Sequence, residues 1–134
     1  MIYNSDFVTN SSSTSFVLFT KDGKEPSLLD FYKAVKIDEN SPLSIIYKQL
    51  YNLIIENMKE VPDISLEELK STNYRFFDEF SLEGENEIKK RIKNGEKAYI
   101  GTISDDSAVG GYFMGKKIVI IGDSFYFNWE SDAY

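Results

Sequence analysis

The sequence contains neither cysteine nor histidine. Without cysteine there is no disulfide framework, which fits a reducing compartment. Without either residue, zinc centres built on thiolate or imidazole are excluded, as are cysteine nucleophiles and any mechanism with a histidine base. No apolar run approaches the roughly 18 residues of a membrane-spanning helix, and the first residues lack the basic start and apolar core of an export signal. The expected location is therefore the cytoplasm. Positive charge is scarce as well: 15 Lys and Arg stand against 22 Asp and Glu, a formal net charge of −7. An acidic surface repels phosphate backbones and acidic membranes. The densest basic stretch, Lys89, Lys90, Arg91 and Lys93, has Glu83, Glu85, Glu87 and Glu96 around it and reads as a solvated helix face. Neither nucleic acid nor membrane is an expected partner.

Aromatic residues are plentiful: ten Phe, nine Tyr and one Trp make up 15% of the chain. That share argues against intrinsic disorder and supplies the volume of a substantial core. A chain of 134 residues has the size of one domain, taken as 1–134, and buries roughly two-thirds of its unfolded surface without a metal or a staple.

The pattern along the chain predicts strand, helices, then strands. Phe16 to Thr20 is a compact β-prone run that stops at Asp22-Gly23, and Ser15 to Thr20 reads as a central strand. Ile2 to Val8 is a weaker candidate for its partner. Ser27 with Asp30 three residues on has capping-box spacing, followed by Leu28, Phe31, Tyr32 and Val35 at helical period. Ser41 is placed to cap a second helix with Pro42 in its first turn. Its apolar stripe is Leu43, Ile46, Tyr47, Leu50, Leu53 and Ile54, and Val61-Pro62 is its expected end. Ser65 and Glu68 repeat the capping logic, and the run Asn73 to Phe80 fits strand or helix equally. Glu83 to Lys93 reads as an amphipathic helix with Ile88 and Ile92 inward, stopped at Asn94-Gly95. Lys97 to Ser104 alternates as a strand. Lys116 to Glu130 reads as a hairpin turning at Gly122-Asp123, with Phe125, Phe127 and Trp129 on one face and Tyr126 and Asn128 on the other. The expected fold is α+β: a mostly antiparallel sheet, made of an N-terminal strand and a C-terminal meander or hairpin, covered on one face by about three to four helices.

The most unusual stretch is polar. Between Phe7 and Phe16 stand Thr9, Asn10, Ser11, Ser12, Ser13, Thr14 and Ser15. A serine nucleophile there has no histidine base and no S-x-x-K partner within the run. A phosphate-binding nest normally carries glycine and a lysine or arginine, and this run carries neither. The plain reading is a polar connection whose hydroxyls bond their own backbone. Asn10, Ser11, Ser12, Ser13 and Ser15 remain the candidate motif or interaction residues. The segment SDFVTNSSSTSF, Ser5 to Phe16, resembles a stretch near the N-terminus of many small uncharacterised bacterial and phage proteins, where it similarly precedes an apolar strand. The resemblance covers about a tenth of the chain. It implies a prokaryotic or phage origin and carries over no catalytic residue.

Asp105, Asp106, Asp123 and Glu130 lie near the C-terminal strands, and carboxylates on neighbouring loops can hold Mg²⁺ or Ca²⁺. They follow no EF-hand spacing, and turns are where aspartate ordinarily sits, so no metal or cofactor is expected. Glu87-Ile88-Lys89 with Asp78 upstream matches a nuclease-type E-x-K on paper, but that chemistry wants a strand and this triplet falls on a predicted helix. Gly110-Gly111 lacks the spacing of a dinucleotide loop. The expected function is binding: a small acidic cytoplasmic protein meeting a protein partner, with a basic one suiting its charge. The alternatives are a carboxylate and divalent-metal enzyme, or a carrier modified on its serine run. Composition and spacing give no oligomeric state.

Overall fold

Phe16, Val17, Leu18 and Phe19 are all at most 1% exposed, so the strand that carries them has no polar face. A strand apolar on both faces must be covered twice, and the fold is organised around that requirement. The computed structural model describes residues 13–61, 80–104, 112–113 and 118–130. Strand β1 (Ser13–Thr20) is flanked by two helices, α1 (Leu28–Val35) and α2 (Ser44–Asn57), then by strand β2 (Lys59–Val61), helix α3 (Leu82–Lys93) and strands β3 (Lys97–Ser104), β4 (Ile118–Ile121) and β5 (Phe125–Trp129). The five strands form one sheet in the order β2-β3-β1-β5-β4, and every neighbouring pair is antiparallel.

β1 pairs with β3 along its whole length, from Ser13↔Ser104 to Thr20↔Lys97. On its other side it pairs with β5, from Val17↔Asn128 to Thr20↔Phe125. The expected C-terminal meander is therefore opened: β1, buried on both faces from Phe16 to Phe19, takes the centre and separates β3 from the β4–β5 hairpin.

The helices divide between the two faces, where sequence pattern suggests a single covered face. Phe16 and Leu18 of β1 face α1 and α2, in a core with Phe31, Leu50, Ile54, Phe125, Phe127 and Trp129. The Phe16 and Phe127 rings lie 5.4 Å apart, and Phe31 stacks on Phe125 at 6.4 Å. Val17 and Phe19 face the other way, in a second core with Phe80, Ile88, Ala98 and Tyr126. Ile88 belongs to α3, so α3 alone among the described helices covers that face. The cause is the lack of alternation in β1, since each of its faces needs its own cover.

Helix ends follow local chemistry. Ser27 Oγ accepts from the Asp30 N–H at 3.1 Å, and Asp30 Oδ2 accepts from the Ser27 N–H at 3.3 Å, closing the expected capping box. Ser41 caps a turn rather than a helix. Its Oγ accepts from the Leu43 N–H and its carbonyl from the Ser44 N–H, and α2 begins only after Leu43. At its far end α2 stops at Asn57, because Met58 is extended and Lys59–Val61 is taken by the edge of β3. Gly95 adopts φ +77 after α3, a left-handed stop that glycine allows.

The hairpin turns one residue later than its Gly122-Asp123 signal suggests. The Gly122 N–H donates to the Phe125 carbonyl at 2.9 Å, which leaves Asp123 and Ser124 as the turn. Gly122 is required for room, since a Cβ there would run into the Phe125 ring. The expected Ile2 to Val8 strand, the Ser65 helix, Gly110-Gly111 and all of the Asn73 to Phe80 run except Phe80 lie outside the described residues. Among the described residues no helix is long and apolar enough to cross a membrane.

Candidate functional site

The sequence-predicted residues do not converge. Ser13 and Ser15 belong to β1, paired with Ser104 and Thr102 of β3, while Asn10, Ser11 and Ser12 lie outside the described residues, as do Asp105 and Asp106. Asp123 is exposed at the hairpin turn, and Glu130 follows the far end of β5. The five-residue strand Phe125–Trp129 lies between these two carboxylates and holds them roughly 16 Å or more apart, too far to share an ion. Among the described residues no three metal-ligating side chains gather. Glu87 and Lys89 sit on α3, as expected, and each has a helical partner: Arg91 Nε donates to Glu87 Oε2 at 2.8 Å, and Lys89 Nζ lies 2.7 Å from Glu85.

A polar cluster is assembled instead where the N-terminal half of α3 meets β5. Ser81 caps α3, its Oγ accepting from the Gly84 N–H at 2.9 Å and donating to Glu130 Oε1 at 3.1 Å. Asn128 is fully buried. Its amide nitrogen donates to Tyr126 Oη at 2.8 Å and to Glu130 Oε1 at 2.9 Å, and its Oδ1 accepts from the Glu130 N–H at 3.0 Å. This satisfies both ends of a buried amide, which would otherwise be costly. Gly84 lets the helix approach so closely: a Cβ there would collide with Glu130 Oε1 and lie 2.8 Å from the Asn128 amide nitrogen.

Arg91 closes the cluster. It is 7% exposed, pairs with Glu87 and with Glu96 Oε1 at 3.1 Å, and lies with its guanidinium carbon 4.9 Å from the Tyr126 ring centroid. Burial pushes the Tyr126 phenol above the ordinary tyrosine range. The charges of Glu130 and Glu87 act in the same sense, against the Asn128 hydrogen bond and Arg91. The phenol is therefore held neutral, as an acceptor for Asn128.

Beside this cluster lies an open cleft of about 240 Å³, between the first turns of α3 and the β4–β5 hairpin. Its rim carries Glu83, Glu87 and Glu130, and its floor Tyr126, Val119 and Ile121. The last two are 42% and 64% exposed. They sit opposite Asn128 and Tyr126 in the hairpin register, which puts their side chains on the α3 face. α3 leaves them exposed: Ile88 is buried with Val17 and Phe19 of β1, Ala98 of β3 and Tyr126 of β5. Leu82, in the first turn of α3, is also exposed at 75%. The arrangement is an apolar floor with an acidic rim, on a strand that ends the sheet among the described residues.

Pattern reading missed this place because its parts are far apart in sequence. Glu83 reads as a solvated helix residue, and Asn128 only as a residue on the strand face opposite Phe125, Phe127 and Trp129. The one available signal is Ile118–Ile121, four apolar residues in a row on a strand that stands at the sheet margin. No family model, curated protein or solved structure matches the chain.

Proposed function

We propose that the protein works by binding another protein, one with a positively charged surface, and that the acid-rimmed cleft between α3 and β4 receives it. The observation that carries this is the exposure of Val119 and Ile121 on a cleft rimmed by Glu83, Glu87 and Glu130. Exposed aliphatic groups in a rimmed concavity mark an interaction surface, and the carboxylates select cationic partners and speed their approach. The net charge of −7 acts in the same direction. The lack of cysteine fits a reducing, cytoplasmic setting, and the N-terminal segment's resemblance supports a prokaryotic or phage origin. Neither the metal-enzyme alternative nor the modified-carrier alternative gains a specific observation.

The test is affinity capture from a bacterial extract, followed by remeasurement with the purified partner. The partner is expected to be basic, to bind more weakly as salt rises, and to lose about tenfold in affinity to Ile121→Lys or Glu83→Lys, as the loss of a buried interfacial contact implies. Leu29→Lys, at an exposed apolar position of α1, is the control and should bind unchanged. A partner that binds Ile121→Lys, Glu83→Lys and the control alike would refute this site.

A further inference from the structure

The hairpin register fixes which backbone groups of β4 face outward. Gly122 and Phe125 form a hydrogen-bonded pair, and such pairs alternate along an antiparallel ladder. Ile120↔Phe127 and Ile118↔Trp129 are then the other hydrogen-bonded pairs, while Val119↔Asn128 and Ile121↔Tyr126 are not. The β1 side agrees. Lys21 N–H donates to the Ser124 carbonyl, so Ser124, Tyr126 and Asn128 turn their backbone toward β1, and Phe125, Phe127 and Trp129 turn theirs toward β4. The N–H and C=O of Val119 and Ile121 therefore point away from the sheet. The same two residues present the exposed side chains of the cleft floor. Among the described residues, one edge thus offers main-chain hydrogen bonds, apolar contact and an acidic rim together.

We infer that the partner enters as an extended segment of alternating basic and apolar residues, which hydrogen-bonds along the outer edge of β4 and adds a strand to the sheet. This rests on the reading of the cleft as the site for a basic protein. Residues of the segment opposite Val119 and Ile121 turn their own N–H and C=O toward β4 and their side chains toward α3. Lysine or arginine suits those positions: the methylene stem lies on Val119 and Ile121 while the charged end reaches Glu83 and Glu87. The residues between them point to the opposite face, beside Ile118 and the buried Ile120, and are apolar. Natural sheets usually blunt such an edge with lysine or proline; Ile118–Ile121 contains neither. A second copy of this chain is a poor occupant. Pairing β4 with itself brings two acidic rims together, each on a chain of net charge −7.

The experiment uses a fluorescent peptide of alternating lysine and valine, the intact protein, and anisotropy as the readout. Saturable binding is expected, about tenfold weaker when glutamate replaces lysine and about tenfold weaker to Ile121→Lys or Glu83→Lys, each a loss near one decade. N-methylation decides the mode. Methyl groups on the lysine amides, which face β4, should abolish binding. Methyl groups on the valine amides, which face away, should leave it within roughly threefold. Amide exchange at Val119 and Ile121 should slow when the peptide binds. Equal loss from either methylation pattern, or no peptide binding at all, overturns strand addition. A dimer that protects those amides without peptide also overturns it, in favour of a second copy. The broader reading fails separately, only if Ile121→Lys and Glu83→Lys leave capture of the intact basic partner unchanged.

Discussion

Arg91 stacks on Tyr126 while its guanidinium is held from both sides, by Glu87 at 2.8 Å and Glu96 at 3.1 Å. The three-part hold ties α3 to β5 and to the start of β3. Glu96 is as enclosed as Arg91, with side-chain exposures of 10% and 9%. Arg91→Met therefore strands a carboxylate with little water to replace the lost cation. Urea unfolding should show a loss of about 3 kcal/mol, near the low end for a broken buried pair because Glu87 keeps part of its hydration. Arg91→Lys should recover less than half of this, since an ammonium cannot fork between two carboxylates and lie on the ring together. Adding Glu87→Gln and Glu96→Gln to Arg91→Met should restore stability relative to Arg91→Met alone.

Tyr126 gives the fold a limit at alkaline pH. Burial raises its phenol above the ordinary value, and burial does the same for Tyr51. The Glu60 hydrogen bond holds the Lys97 ammonium above its ordinary range. A group whose folded value is raised contributes its full stability below the unfolded value, near 10 for tyrosine, and loses it as pH rises through the folded value. Unfolding free energy should be flat with respect to these groups up to about pH 9 and fall beyond about pH 10. In Tyr126→Phe the fall should be shallower. Tyrosinate absorbance during an alkaline titration reads the same transition directly, and an equal slope in wild type and Tyr126→Phe would show that the phenol is not held neutral by the fold.

Gly84→Ala sets helix propensity against space. Alanine favours an α-helix over glycine by about 1 kcal/mol, yet the new methyl group would meet Glu130, Asn128 and Ser81 at once. Crowding in a close-packed site costs about 1–3 kcal/mol, and all three neighbours are pinned by their own hydrogen bonds. The variant should melt below wild type by differential scanning calorimetry. A rise in melting temperature would mean that α3 can move away from β5 without loss.

Thr20 ends β1 fully buried, and among the described residues its Oγ1 has no hydrogen-bond partner. An unsatisfied hydroxyl costs about 1–3 kcal/mol, and valine has nearly the same shape. Thr20→Val should therefore stabilise the protein, by about 1 kcal/mol, read as a shifted urea midpoint at constant slope. A destabilised variant would show that the hydroxyl is bonded in solution.

Local signals in the sequence transferred well wherever the residues that decide the structure are neighbours. Ser27 and Asp30 announce their capping box, Ile88 its inward face, and Phe16 to Phe19 a strand without a wet side. What failed depends on partners far along the chain. Lys59–Val61 has no strand pattern of its own and is extended because the edge of β3 is there to receive it. The split of helices between faces depends on which side of β1 Ile88 meets, and helical period does not encode that. The alternation Phe125, Phe127, Trp129 was legible, but the place of β1 between β3 and β5 was not, since β3 and β5 read just as well as neighbours. The cleft was the least legible feature. Its rim and floor come from α3, β4, Tyr126 and Glu130, and nothing in the local pattern around Asn128 marks it as the buried polar centre.

The central position of β1 also has a consequence in time. The run from Phe16 to Phe19 is made early, but its two neighbours, Lys97–Ser104 and Phe125–Trp129, are made late. At roughly 5–20 residues per second, the wait between β1 and β5 leaving the ribosome is on the order of 5 to 20 s. Until β3 emerges, which takes most of that time, the run from Phe16 to Phe19 has neither neighbour to pair with. Helices α1 and α2 can shelter only the Phe16 and Leu18 side, and Val17 and Phe19 wait for α3. Folding of the sheet is therefore a late event, governed by long-range closure, and the newborn chain is a natural client for whatever shields apolar strands during synthesis.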